Sequence, residues 1–217
     1  MDKQELFSRM LSDGLIPLIR ASSPAEAIEV AGAIKKGCAG FLEITMTIPG
    51  GIEVIRELKR QIGDDIIIGA GTVLDSETGR SALLAGAQFL VSPTIHLGLI
   101  QLAHRYNVVV IPGAMTPTEI LTAWEAGADL VKVFPAGLLG GPEYLKALKG
   151  PLPQILLMPS GGISLDNVGS FIRAGASVVA VGGELVEARA VREKKFDRIT
   201  ENTRAFITAI EKARRGL

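Results

Sequence analysis

The chain has 217 residues, a formal net charge of +0 and 47% hydrophobic residues. That apolar fraction builds a large core and excludes an intrinsically disordered chain. The neutral balance leaves no electrostatic footprint for nucleic acid or an anionic membrane as partner, and the length suits one domain.

The N-terminus, Met1-Asp2-Lys3-Gln4-Glu5, carries both signs and no long apolar stretch. Neither a signal peptide nor a membrane span is expected, only a short helix before the first strand. The first apolar run is Ile16–Arg20. Ser23-Pro24-Ala25-Glu26 then reads as an N-cap, a proline at N1 and an acidic first turn, opening a helix over Pro24–Lys36. Lys36-Gly37-Cys38 is a small-residue turn, where glycine just past a helix supplies a left-handed cap. The second run is Phe41–Thr45 and the third Ile66–Gly69. The loop Gly69-Ala70-Gly71-Thr72 lacks the spacing of a dinucleotide or Walker motif. Ala85-Gly86-Ala87 leads into the fourth run, Phe89–Ser92, and Val108–Pro112 is the fifth. Thr116-Pro117-Thr118-Glu119 repeats the capped start, with Glu119 at the capping-box position, for a helix over Pro117–Ala126. The turns Ala126-Gly127-Ala128 and Ala174-Gly175-Ala176 precede the sixth run, Leu130–Phe134, and the eighth, Val178–Val181, with Ile155–Pro159 as the seventh.

Strand-like runs recurring roughly 20–25 residues apart, with helix-length segments between, imply parallel strands and helical crossovers. Eight such units predict an α/β fold, a (β/α)8 TIM barrel, with residues 1–217 as a single domain. A doubly wound open sheet is the alternative, but it does not favour eight evenly spaced units.

In a barrel the chemistry sits at the C-terminal ends of the strands. That rule selects Arg20, Glu43, Thr45, Thr72, Pro93, Lys132, Ser160-Gly161-Gly162 and Gly182-Gly183. In Leu130-Val131-Lys132-Val133, a period of two sends the valines to one face and Lys132 to the other. With the valines against the helices, Lys132 points inward. Burial penalises the ammonium, and a neutral amine attacks ketones to give a Schiff base. The competing reading is a lysine that snorkels to the mouth or pairs with Glu43 as a core ion pair. The same alternation turns Glu43 inward, where a carboxylate near a lysine shuttles protons or simply neutralises it. Arg20 either grips a substrate carboxylate or forms a surface salt bridge. The glycine pairs after the seventh and eighth strands stand where barrels bind phosphate through backbone N–H groups, or are plain turns.

No metal site is expected: the only histidines are His96 and His104, eight apart, without an H-E-x-x-H motif. Cys38 is the single cysteine, so no intramolecular disulfide forms, which fits a reducing, cytoplasmic setting. Cys38 reads as a packing residue, Trp124 as an amphipathic-helix residue, and Lys212, Arg214 and Arg215 as a solvated helix end.

Taken together and in order, Glu43-Ile44-Thr45, Gly69-Ala70-Gly71-Thr72-Val73-Leu74, Gly86-Ala87-Gln88-Phe89-Leu90-Val91-Ser92-Pro93, Ile111-Pro112-Gly113, Lys132-Val133-Phe134-Pro135-Ala136 and Gly161-Gly162-Ile163-Ser164 resemble one family. It is that of the 2-keto-3-deoxy-6-phosphogluconate aldolases, including members that also cleave 4-hydroxy-2-oxoglutarate. The resemblance runs from about Leu15 to about Ile210. It implies a class I pyruvate aldolase without a cofactor, acting on a small, phosphorylated 2-keto acid and assembled as a homotrimer. Lys132 would be the Schiff-base lysine and Glu43 the general acid/base. Thr72 would contact the pyruvate part, Pro93 would shape the pocket, and Gly161, Gly162, Gly182 and Gly183 would hold the phosphate. Some members carry Glu-x-Thr-x-Arg, where this chain has Thr47, and the resemblance lets Arg20 supply the cation instead. Some also carry Gly-Gly-Ser after the eighth strand, where this chain has Gly182-Gly183-Glu184. Two rival readings are another phosphate-binding barrel enzyme, such as an isomerase or a thiamine-phosphate-type synthase, and a non-enzymatic phosphometabolite-binding barrel.

Overall fold

The computed structural model describes residues 1–63 and 65–216. In chain order the elements are α1 (Lys3–Asp13), β1 (Leu15–Ile19), α2 (Pro24–Lys36), β2 (Phe41–Thr45), α3 (Gly51–Ile62), β3 (Ile67–Gly71), α4 (Ser76–Ala85), β4 (Phe89–Val91), α5 (Leu97–Tyr106), β5 (Val109–Ile111), β6 (Gly113–Ala114), α6 (Pro117–Glu125), β7 (Val131–Val133), α7 (Gly141–Lys149), β8 (Leu157–Pro159), α8 (Val168–Arg173), β9 (Val179–Val181), α9 (Ala188–Arg192) and α10 (Phe196–Arg214).

Every strand pairing is parallel. The sheet is curled and drawn in two arcs, β5-β4-β3-β2-β1-β9 and β6-β7-β8. Isolated bridges from Leu157 to Ala176 and from Ser160 to Ala180 join the arcs on one side. On the other side they meet at Pro112. The Ile111 carbonyl accepts from the Ser92 N–H at 3.1 Å, while the Pro112 carbonyl accepts from the Lys132 N–H at 2.9 Å. Proline has no N–H to continue a ladder, so the expected fifth strand, Val108–Pro112, stops at Ile111 as β5, and a short further strand, β6, follows it. The expected sixth, seventh and eighth strands are therefore β7, β8 and β9.

The alternation of the strands separates two apolar layers. Leu42, Ile44, Val131 and Val133 pack outward among the helices. Ile16, Leu18, Phe41, Phe89 and Met158 fill the interior, and Leu6 and Met10 of α1 pack into the same cluster. Glu43 and Thr45 of β2 and Lys132 of β7 are buried as well, between outward-facing neighbours.

The capped helix starts have local causes. Ser23 accepts from the Glu26 N–H, and Thr116 with Glu119 forms a full capping box. Gly86, Gly127 and Gly175 take the left-handed conformation after their helices. Gly37 does not: its φ is −76°, and the left-handed residue is Cys38, at φ 69°. Gly37 is needed for closeness instead, since a Cβ there would stand 2.5 Å from Cβ of Thr203 on α10. Cys38 is exposed rather than packed. Arg214 is not merely solvated either. Its guanidinium donates to the carbonyls of Leu11 at 2.7 Å and Ser177 at 3.1 Å, and to that of Ser12, tying α10 to the end of α1.

Candidate active site

Lys132 lies in the middle of β7 and is 4% exposed. Its Nζ stands 4.0 Å from Glu43 Oε1 and 5.5 Å from the centroid of the Phe134 ring. Glu43, at the centre of β2, is fully buried, and neither carboxylate oxygen has a hydrogen-bond partner among the described residues. Burial therefore pushes the Glu43 carboxyl above the usual carboxylate range, against the opposing pull of Lys132 and then Arg20. An unsatisfied buried carboxylate is costly to a fold and demands an explanation. One held within reach of an amine, yet not hydrogen-bonded to it, is suited to passing a proton to a third group.

Glu43 owes its place to Gly71. In the β2–β3 register Thr45 pairs with Gly71. A Cβ on Gly71 would fall 1.7 Å from Glu43 Oε1, so the carboxylate occupies the volume a side chain would have filled. The next residue, Thr72, is a half-buried β-branched residue at φ 56°. Such a residue is strained in the left-handed region, and strain of this kind collects at functional sites.

Thr45 and Thr47 fix one another's hydrogen bonds. The Thr45 hydroxyl donates to the Ile19 carbonyl at 3.0 Å, so its 2.8 Å contact with the Thr47 hydroxyl requires Thr47 as donor. Thr47 is left with lone pairs only and cannot donate to an anion in place of an arginine. Arg20, just beyond β1, is the exposed cation nearby. It lines a cleft of about 690 Å³ with Leu18, Glu26, Gly182, Gly183 and Arg192. Glu26 is engaged there by the Ser22 N–H and hydroxyl. Around Gly183 there is open space where a Cβ would point, and Gly182 has only Leu18 nearby at 3.7 Å. Glu184 is exposed in the turn before α9.

The remaining candidates occupy neighbouring loops. Gly161 and Gly162 take consecutive left-handed conformations, at φ 83° and 77°, and a Cβ on Gly162 would come 2.9 Å from Cα of Gly137, in the segment that follows Lys132. Pro93, half-buried, backs onto β6: a Cβ on Gly113 would lie 2.2 Å from its carbonyl. Thr72 faces a separate cleft, with Met46 and Leu74. The structure thus brings Lys132 to Glu43, and Arg20 to Gly182 and Gly183. His96 caps α5, its Nδ1 accepting from the Leu99 N–H at 2.9 Å, and His104 Nε2 pairs with the Gly127 carbonyl. Among the described residues no group of three or more His, Cys, Asp or Glu is placed to hold a metal ion.

Three neighbours of these residues were not singled out from the sequence. Gly71 was legible only through the strand register, and Phe134 only once its ring was seen beside the amine. Arg192 sits on a five-residue helix with no motif around it.

The chain matches the family described as KDPG and KHG aldolase over residues 7–202. It is 35% identical over 200 residues to a 2-dehydro-3-deoxy-6-phosphogalactonate aldolase of Escherichia coli (strain K12), covering 92% of this chain and 95% of that protein. A 2-dehydro-3-deoxy-phosphogluconate aldolase of Pseudomonas aeruginosa is 37% identical over 180 residues, covering 83% and 81%. The crystal structure of KDPG aldolase from Legionella pneumophila, with pyruvate captured as a covalent carbinolamine intermediate, superposes with a TM-score of 0.85 at 28% identity, covering 92% of this chain and 97% of that one.

Proposed function

The chain belongs to the KDPG and KHG aldolase family, and we propose from that premise how its own residues carry out the reaction. It is a class I aldolase, a lyase that reversibly cleaves 2-keto-3-deoxy-6-phosphogluconate to pyruvate and glyceraldehyde 3-phosphate, and 4-hydroxy-2-oxoglutarate to pyruvate and glyoxylate. The observation that carries the residue assignment is the buried Lys132 amine 4.0 Å from a buried carboxylate without a hydrogen-bond partner among the described residues.

The Lys132 amine attacks the C2 ketone, and loss of water gives an iminium. Glu43, through an intervening water, takes the proton from the C4 hydroxyl. The C3–C4 bond breaks, its electrons pass to the iminium, and the aldehyde leaves. Glu43 returns a proton to C3 of the enamine, and hydrolysis frees pyruvate and Lys132. The iminium is the electron sink, so the cycle calls for no metal or cofactor. Arg20 binds the substrate's carboxylate, a role supported by the saturated donor of Thr47. The family likeness assigns Thr72 to the pyruvate portion, although its side chain lines the neighbouring cleft, and Pro93 to the pocket wall. Gly161, Gly162, Gly182 and Gly183 receive the distal phosphate, which supplies remote binding energy that orients C4. The paired bridges between the arcs support closure into a single-domain (β/α)8 barrel over residues 1–217. The same reading makes the protein a cytoplasmic homotrimer.

The assignment is tested by following pyruvate release from each substrate with lactate dehydrogenase and NADH. Release from wild type, and none from Lys132→Met, is expected. A Lys132→Met variant that retains wild-type turnover removes Lys132 from the reaction.

A further inference from the structure

The cleft that holds Arg20 contains a second guanidinium. Arg192, the last residue of α9, lines it together with Arg20, Gly182 and Gly183. Three other cations around α9 are paired: Arg189 with Glu193 at 2.8 Å, Lys195 with Glu193 at 2.6 Å, and Arg198 with Glu187 at 3.3 Å. Arg192 is exposed, and its charge also acts on Glu193, which is already paired with Arg189 and Lys195. The acid that shares the cleft, Glu26, is held by the Ser22 N–H and hydroxyl. Gly182 and Gly183 are not required by backbone strain, because neither has a positive φ. What they leave is unfilled volume in a cleft that Leu18, Arg20 and Arg192 also line.

We propose that Arg192 is a specificity residue for the distal end of the substrate, donating from α9 to the phosphate that rests on Gly182 and Gly183. A guanidinium matches phosphate bidentately and is permanently charged. The division of labour follows from position: Arg20, at the strand end, belongs to the barrel mouth, and Arg192, on the outer helix, to the far end of the molecule that enters it. This rests on the aldolase reading, but its failure is separable from that reading.

The test is calorimetric titration of the full-length protein with glycerol 3-phosphate. Wild type binds, Arg192→Ala binds about tenfold or more weakly, and Arg189→Ala binds as wild type. Arg189→Ala removes the same charge from the same helix outside the cleft. Equal binding by Arg192→Ala and wild type overturns the proposal. So does equal weakening by both variants, or no binding by wild type. Each protein is also treated with pyruvate and borohydride: an adduct on Lys132 keeps the aldolase reading whatever the titration shows, and its absence removes that reading on its own.

Discussion

At the scale of single residues, the site is a conflict between burial and charge that only chemistry resolves. Glu43 is raised above the usual carboxylate range chiefly by desolvation. In its proposed role as base for the C4 hydroxyl it works only when ionised, so kcat/KM is expected to rise with pH along a limb that lies above the ordinary Glu value of about 4.3. Stability runs the opposite way. A carboxyl with a raised folded pKa binds more protons folded than unfolded, so its contribution is complete below the unfolded value and is lost as pH rises through the folded one. Melting temperatures across that window should therefore fall in wild type and lack the fall in Glu43→Gln. An activity limb at the ordinary Glu value would contradict the role. Gly71 provides an independent handle: its missing side chain is the space the carboxylate occupies. Gly71→Ala should lower kcat about a hundredfold by misplacing Glu43. Unchanged kcat in a variant that melts like wild type would show that the placement does not matter. Strand alternation alone turned Glu43 and Lys132 inward. The close approach of Gly71 was not readable that way, because it depends on which residue of β3 lies across from which residue of β2.

Among the elements, legibility followed the strength of local signals. The α2 boundaries were readable because Ser23 caps, Pro24 starts and the chain turns at Gly37. The turn's geometry was not, because Gly37 answers to Thr203 on α10, more than 160 residues away in the sequence. The end of the fifth strand at Ile111 depended on a hydrogen-bond ladder that passes from β4 to β7 around Pro112. Periodicity carries no trace of that handover. Arg214 sits at the exposed helix end that its sequence suggests, but its partners on α1 were hidden for a similar reason. Its donations to Leu11, Ser12 and Ser177 fasten the plugging helix to the last one. Arg214→Ala should cost about 1 kcal/mol, or a melting temperature lower by roughly 2–4 °C. Thermal denaturation of Lys212→Ala provides the comparison. Equal shifts in the two variants would reduce Arg214 to an ordinary surface charge.

For the molecule as a whole, the curled sheet converts periodicity into function. Parallel strands leave their C-terminal ends on one rim, and the curl brings Lys132 to Glu43, and Arg20 to Gly182 and Gly183, although they are far apart in sequence. The central claim is that a covalent intermediate forms at Lys132, and its most direct test is a trap. Protein is mixed with pyruvate, reduced with borohydride, digested and mapped by mass spectrometry. The account predicts a reduced pyruvyl adduct on Lys132, absent without pyruvate. Folded protein with no adduct on any lysine, or with one on a lysine other than Lys132, would contradict it.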